Sequence, residues 1–349
     1  MSGNIKPFYY RILSKFPPCS FGFAYGSGVK KQIGYQDEDI KANIQKKQPP
    51  KPSQPKKQVM LDLLFMVDNP YQWHSQNMLQ NPSHYSAISV FGSNFVARYQ
   101  EFRYGAKVYF NTLVPLEEDS NLLIKYGVIS QKDLIVDLLD WRDLYAAGRM
   151  QKPVEIIRQP TSSRVQNALE LNLQSAVRAA LLVLPKEFTE FEFYCAITNL
   201  SYSGDFRMIF GENKNKVQNI VKPQMESFRN LYAPIVEVFR NVLDYPTSSD
   251  VLCRQDKSPL VILQHLNQMP KYPVRRIVRD WNNGRYRMDT EDVLRAIACS
   301  PKYQKMVQKS LTDIVWQSSV KQSIKNIPTA GLSKSINYSW SKALKTFNF

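Results

Sequence analysis

Cysteine and histidine are scarce in this 349-residue chain: four cysteines (Cys19, Cys195, Cys253, Cys299) and three histidines (His74, His84, His265). The cysteines lie far apart with no C-x-x-C pair, which argues against a disulfide framework and a cysteine-rich zinc site and fits a reducing compartment. Three scattered histidines are a poor basis for a multi-histidine metal centre. No apolar run approaches the roughly 18–20 residues that span a bilayer, and a stretch such as Ala179 to Leu184 is far too short. The chain therefore reads as soluble or peripheral. Its N-terminus, MSGNIKPFYYRILSKF, makes a poor cleavable presequence, so targeting is expected to be encoded elsewhere or a segment to have been removed. Neither G-x-x-x-x-G-K-[ST] nor a Rossmann fingerprint is present.

Acids are also in the minority: 30 Asp plus Glu against 46 Lys plus Arg leave a net charge of +16. That excess favours polyanionic partners, whether nucleotides, nucleic acid or an anionic membrane surface, without choosing among them. A content of 43% hydrophobic and 12% aromatic residues is ample for a buried core and excludes a largely disordered chain. At roughly 100–200 residues per domain, the length suggests two domains with an appendage.

FGFAYGSGV (Phe21 to Val29) reads as a buried strand entering a glycine-rich turn. The Lys, Gln and Pro-rich stretch that follows, Gln36 to Gln58, cannot bury apolar surface and reads as a flexible basic insertion. VMLDLLFMVDNP is a second strand, stopped by Asn69-Pro70. Helical spacing runs from about Pro82 to Phe102, then come strands AKVYFN and LIKYGVIS and a helix over QKDLIVDLLDWRDLYAAG. Interleaved strands and helices across residues 1–150 indicate an α/β or α+β unit. From Pro153 the pattern is mainly helical (NALELNLQSAVRAALLVL, EFTEFEFYCAITNLSY), giving a second domain over 151–245 and a mixed, variable region over 246–300.

Residues 301–349 read as amphipathic helices. Leu311, Ile314, Val315, Val320, Ile324 and Ile327 recur at helical spacing, and from Met306 onward Asp313 is the one acid. Lysines (Lys321, Lys325, Lys334, Lys342) and aromatics (Trp316, Trp340, Phe347) beside such a stripe match an interfacial helix on an anionic membrane. A helix docked on its own domain has the same spacing, so both readings stand.

The sharpest local signal is Tyr25-Gly26-Ser27-Gly28 after an apolar strand, with Asp62 on the next. Glycines let backbone approach a phosphate closely, free N–H groups and the Ser27 hydroxyl donate to its oxygens, and a neighbouring carboxylate can hold Mg²⁺ against a triphosphate. This is the logic of nucleotidyl transfer. A partner acid two residues on is absent, because that position is Leu64. Asp68 shares the face but lies roughly 13 Å away at strand spacing, too far to share one ion. His84 and Tyr85 in PSHYS either bond a nucleotide or cap a helix. Asn111 reads a base or closes a turn, and Asp137 is an active-site acid or an exposed position on an apolar helix.

FAYGSGV, the strand around Asp62, QNPSHYS, KVYFN, KYGVIS, LYAAGRMQKPV, LSYSGDFRM, ENKNKVQNIV and TAGLSKSINYSWSKALK occur in order along the chain. In these segments it resembles the mitochondrial phosphatidate cytidylyltransferase family, also known as the translocator assembly and maintenance proteins. The resemblance implies a nucleotidyltransferase domain with a mixed sheet and flanking helices, a winged-helix-like second domain and a C-terminal membrane-binding segment. It implies Mg²⁺-dependent formation of CDP-diacylglycerol from CTP and phosphatidic acid at the matrix face of the inner mitochondrial membrane, toward cardiolipin. Ser27, Asp62 and Lys125 are then the catalytic candidates, with Asp62 on the metal and Lys125 on phosphate. Tyr25, Gly26, Gly28, His84, Tyr85, Asn111, Asp205, Arg207, Lys214 and Lys216 are candidates for nucleotide or phosphate binding. Expected partners are CTP, phosphatidic acid and an anionic membrane surface; DNA is not among them, and a homo-oligomer is compatible with the sequence. The rival readings are a nucleotidyltransferase acting on RNA and a non-enzymatic assembly factor for mitochondrial protein import.

Overall fold

The computed structural model describes residues 7–30, 32, 59–116, 119–208, 215–245, 251–284 and 286–330; the basic insertion at 36–58 lies outside them. The chain divides into two compact units. The first groups Met1–Leu134, Val154–Ser163 and Lys321–Phe349, the second Ile135–Pro153 and Arg164–Val320. Neither is one continuous piece.

The first unit contains helix α1 (Pro7–Leu13), strands β1 (Phe21–Tyr25) and β2 (Val59–Val67), helices α2 (Pro70–Gln80) and α3 (Gly92–Glu101), and strands β3 (Tyr109–Leu116), β4 (Asp119–Ser130) and β5 (Glu155–Arg158). The strands form one sheet in the order β3-β4-β2-β1-β5. It is mixed: β2 and β4 run parallel and every other pair antiparallel. β5 belongs here because it pairs with the outer edge of β1, Phe23 opposite Ile156, satisfying backbone groups that would otherwise be bare.

Alternation decides which side of the sheet each residue of β2 packs on, and both sides are buried along most of its length. Leu61, Leu63, Phe65 and Val67 face one side and pack with Ala24, Ile124, Tyr126 and Val128, covered by Tyr9 and Ile12 of α1, Phe16, and Trp73 of α2. Phe65 is completely buried, so Phe65→Ala would cost on the order of 3–5 kcal/mol. The opposite face carries Asp62, Leu64 and Met66. β2 stops where expected: the Asn69 side chain accepts the Gln72 N–H at 3.1 Å as the N-cap of α2, and Pro70 occupies its first turn. The helical spacing over 82–102 resolves into 3₁₀ turns at Pro82–His84 and Ala87–Phe91, then α3. The break before α3 falls at Gly92, whose φ is +83°.

The second unit is mainly helical, with α4 (Gln131–Asp140, begun in the first unit), α5 (Ala146–Met150), α6 (Ser163–Val183), α7 (Glu190–Asn199), α8 (Lys216–Val221) and α9 (Met225–Val236). A small sheet, β6 (Glu187–Phe188), β7 (Leu243–Asp244) and β8 (Cys253–Gln255), has the order β6-β8-β7. Helices α10 (Pro259–Asn267), α11 (Lys271–Asn282), α12 (Thr290–Ala298) and α13 (Tyr303–Ala330) follow, α13 passing into the first unit from Lys321. α7 begins at a reciprocal capping box: Thr189 Oγ1 accepts the Glu192 N–H, while the Glu192 carboxylate accepts the Thr189 N–H.

The single helix expected over 131–148 is two. Asp137 is buried, and its carboxylate accepts the N–H groups of Asp143, Tyr145, Ala146 and Ala147 at 2.8–3.0 Å. The chain turns back on this one side chain through left-handed residues at Trp141 and Leu144. Asp137 is thus neither an exposed residue nor an acid available for chemistry; it satisfies backbone donors at the start of α5.

Candidate active site

The site forms where β1 ends. In the sheet register Tyr25 lies opposite Asp62, and Asp62 beside Lys125 on parallel β4, so three side chains from three adjacent strands share one row and one face. The Lys125 ammonium is 3.6 Å from an Asp62 carboxylate oxygen, with the two side chains 21% and 25% exposed. The ring of Phe110, across on β3, lies 4.9 Å below that ammonium. Its stacking on the cation holds the lysine toward the carboxylate rather than outward.

The glycine turn closes over this row. Gly26 has φ +82°, a conformation a side chain rarely adopts, and a Cβ there would lie 3.3 Å from Asp62 Oδ2. At Gly28 a Cβ would lie 2.3 Å from the Met60 carbonyl oxygen, so only glycine lets the turn approach β2 this closely. The N–H groups of Val29 and Lys30 donate back to the Gly26 carbonyl at 3.1 and 3.0 Å. This is the geometry of a first helical turn, in which the preceding N–H groups, of Ser27 and Gly28, have no acceptor within the turn. Lys30 fastens the far end of the turn to β5 through Glu155 at 3.2 Å.

Asp68 is elsewhere on β2's trailing end, where its carboxylate accepts from Ser20 Oγ at 2.7 Å. Among the described residues no group of three His, Cys, Asp or Glu side chains could hold a metal. Among the described residues, Asp62 is the acid paired with Lys125 beside the glycine turn, a donor set that fits Mg²⁺ only where phosphate oxygens and water complete its shell.

His84, Tyr85 and Asn111 do not join this row. Tyr126 follows Lys125 on β4 and so points to the opposite face, and they gather around it. His84 Nδ1 lies 3.0 Å from the Tyr126 hydroxyl, and Asn77 Nδ2 donates to the hydroxyls of Tyr126 (2.9 Å) and Tyr85 (3.0 Å). Asn111 is fully buried opposite Tyr126. Beside them His74 is sandwiched between the Tyr85 hydroxyl (2.8 Å) and Gln100 Oε1 (2.9 Å). Burial pulls its pKa down to about 4, against the Gln100 bond, which raises it. The group is a largely buried polar network joining α2, β3 and β4.

Asp205 and Arg207 belong to the second unit. Arg207 forks onto the Asp205 carboxylate, its Nε at 2.9 and 3.1 Å and Nη2 at 2.5 Å. Burial alone would raise the Asp205 pKa, but the Arg207 bonds outweigh it and hold the carboxyl below its usual range. The loop is anchored within its unit: Ser203 Oγ and Thr312 Oγ1 are 2.7 Å apart, and a Cβ at Gly204 would strike the Thr312 carbonyl at 2.3 Å. Lys216 opens α8, whereas Lys214 lies outside the described residues.

A lysine not singled out in the sequence stands beside that loop. Lys152 donates to Ser201 Oγ at 2.7 Å and to the Gly148 carbonyl, over the Tyr202 ring. Burial, and secondarily Arg149, lower its pKa to about 7. Its signal was the juxtaposition of LYAAGRMQKPV with LSYSGDFRM, which only folding reveals; a Cβ on Gly148 would overlap Ser201 Cβ at 2.3 Å.

The C-terminal residues divide. Leu311, Ile314 and Val315 are buried in the core of the second unit, so this part of the stripe docks on its own domain. Trp316 is exposed and Lys321 half-buried. Lys325 is a correction: it is 5% exposed, and its ammonium donates to the Gln100 carbonyl at 2.6 Å, so it holds α13 to α3 rather than facing lipid headgroups. Lys334, Trp340, Lys342 and Phe347 lie outside the described residues.

A glycine turn pressed onto a carboxylate–lysine pair within a mixed sheet is suited to receiving phosphate groups. A family profile described as "Phosphatidate cytidylyltransferase, mitochondrial" matches residues 9–345. The chain belongs to this mitochondrial phosphatidate cytidylyltransferase family. It is 45% identical to the protein of that name from Drosophila melanogaster, over 97% of this chain and 98% of the relative. It is 42% identical to that from Danio rerio (98% and 95% covered) and 42% identical to that from Homo sapiens (93% and 67%).

Proposed function

We propose that this chain is a phosphatidate cytidylyltransferase, joining the cytidylyl group of CTP to phosphatidic acid to give CDP-diacylglycerol and pyrophosphate. The observation that carries the reading is the row Tyr25–Asp62–Lys125 beneath the Gly26–Gly28 turn, in a chain that matches the family almost end to end.

A phosphate oxygen of phosphatidic acid attacks the α-phosphorus of CTP, forming a P–O bond as the bond between the α-phosphorus and the bridging oxygen breaks and pyrophosphate leaves. The attacking monoester, with a second pKa of about 6, is largely dianionic near neutrality and needs no strong general base. What the protein must supply is alignment and positive potential around the α-phosphate and the leaving group. The Ser27 and Gly28 N–H groups and the Ser27 hydroxyl bind triphosphate oxygens, and Lys125 turns from Asp62 to phosphate. Asp62 would hold Mg²⁺, which when bound neutralises developing charge on the phosphates.

The mixed sheet with its Gly-Ser turn and strand acid supports a nucleotidyltransferase domain. The small three-stranded sheet among helices supports a winged-helix-like second domain. Among the described residues no helix is long and apolar enough to cross a membrane, which supports peripheral attachment. We place the reaction on the matrix face of the inner mitochondrial membrane, supplying phosphatidylglycerol and cardiolipin synthesis.

The test is CDP-diacylglycerol formation from labelled CTP and phosphatidic acid in mixed micelles with Mg²⁺, for wild type and Asp62→Ala. Product from wild type alone supports the reaction and the role of Asp62. Equal turnover by the variant would remove Asp62 from the centre, and no product from folded, CTP-binding wild type would overturn the acceptor.

A further inference from the structure

On the first unit, away from the Asp62 row, α3 and the 3₁₀ turn before it present an apolar ridge to solvent. The inner side of α3 (Val96, Ala97, Gln100) is buried, as its spacing requires, but the outer side is not polar. Val90 is 85% and Phe91 70% exposed, and the ring of Phe91 contacts Phe95, which stacks on Tyr99. Just beyond the helix, exposed Phe102 and Tyr104 stack on each other at 5.5 Å. The end of α13 joins the two clusters: the Tyr99 hydroxyl donates to the Lys325 carbonyl at 3.0 Å, Lys321 lies over the Tyr104 ring, and Ile324 between them is 62% exposed.

A patch of this kind is rare on a surface that meets only water. Its surroundings identify the occupant. Residues 86–107 and 321–328 hold Arg98, Arg103, Lys107 and Lys321 at or near the surface against one carboxylate, Glu101, while Lys325 is turned inward onto Gln100. Aromatic rings that bury their bodies, with cationic side chains at their margins, match the chemistry of an anionic bilayer interface.

We propose that the ridge of Phe91, Phe95, Phe102 and Tyr104, rimmed by these cations, is a bilayer-docking surface that inserts its rings among the headgroups of anionic phospholipid. Its rings are a different set of residues from Trp316, Trp340 and Phe347, and the proposal rests on the reading that the acceptor is a lipid.

The full chain is floated with phosphatidylcholine vesicles with and without phosphatidylglycerol, as wild type, Phe91→Ser/Phe95→Ser, and Arg98→Glu/Arg103→Glu. Wild type floats with the anionic vesicles. Each lost ring weakens partition by about tenfold, so the first variant falls by about a hundredfold. The second variant loses the preference for anionic vesicles. A tryptophan placed by Phe91→Trp adds emission that acyl-chain-brominated lipid quenches. Flotation of Phe91→Ser/Phe95→Ser equal to wild type, or an added tryptophan left unquenched on bound protein, would overturn the proposal. So would added emission already shielded without vesicles, with protein concentration for a second copy or without it for another segment of this chain. Turnover of dihexanoyl phosphatidic acid, soluble as monomers, separates the two readings: both ridge variants retain it. If wild type itself fails to turn it over, the lipid acceptor falls while flotation still decides the surface.

Discussion

Gly28→Ala tests the turn most directly. The new methyl would sit 2.3 Å from the Met60 carbonyl oxygen and 3.2 Å from its carbon, both main-chain atoms of β2 that cannot swing aside. Ordinary contact begins near 3.4 Å, so the turn must retreat from the strand by about 1 Å. Because the turn lies at the edge of the core, this retreat relieves most of the strain, and the stability cost sits toward the low end of overpacking, about 1 kcal/mol. Activity has no such relief. The same displacement carries the Ser27 and Gly28 N–H groups away from the Asp62–Lys125 row, and a 1 Å misplacement costs about 100-fold in rate. The assay is steady-state CDP-diacylglycerol formation with CTP varied, beside thermal unfolding; kcat/KM for CTP falls by about two orders of magnitude while Tm moves little. Ser27→Ala, which adds no atom, loses only its hydroxyl contribution and keeps the turn in place. Wild-type kcat/KM in Gly28→Ala would refute the claim that the turn's close approach to β2 positions the nucleotide.

Asp62→Asn separates chemistry from stability: the partly exposed pair with Lys125 contributes less than about 1 kcal/mol to folding, while turnover drops by about 10²-fold or more, as activity and Tm together would show. His74, whose pKa is lowered from 6.5 to about 4, binds its proton more readily unfolded than folded. Its share of stability is complete above the unfolded pKa and is lost as pH falls from about 6.5 toward 4, about 2 kcal/mol between pH 7 and 5; an imidazole NMR titration midpoint near 6.5 in the folded protein would contradict this. Lys325→Met leaves the Gln100 carbonyl without its charged donor and lowers stability by about 1–3 kcal/mol, read as a denaturant midpoint, with vesicle binding unchanged.

What could be read from the chain without its fold was local. The apolar alternation of VMLDLLFMV put Asp62 on the opposite face from Leu61, Leu63 and Phe65, and the glycines at 26 and 28 announced a turn that tolerates little else. Asn69-Pro70 ended β2, and Pro185 followed α6. Each depends on steric and hydrogen-bonding preferences of a few neighbouring residues, which sequence carries in full. The partnership of Asp62 with Lys125 is different in kind, since it requires the parallel pairing of β2 with β4 in one register; a slip of one residue would have put Tyr126 there instead. The same parity put Asn111 with Tyr126 on the other side of the sheet, where the turn carrying His84 and Tyr85 packs, although their types suit a nucleotide. Asp137 resembled a stray acid until the chain folded its own N–H groups onto it. Lys325 resembled a headgroup anchor until α3 covered it, and β5 joined the first sheet because an unpaired strand edge was there to receive it. Helix spacing and turn chemistry are short-range properties of the sequence; which face is covered, and which charge meets which, depend on contacts between segments distant along the chain.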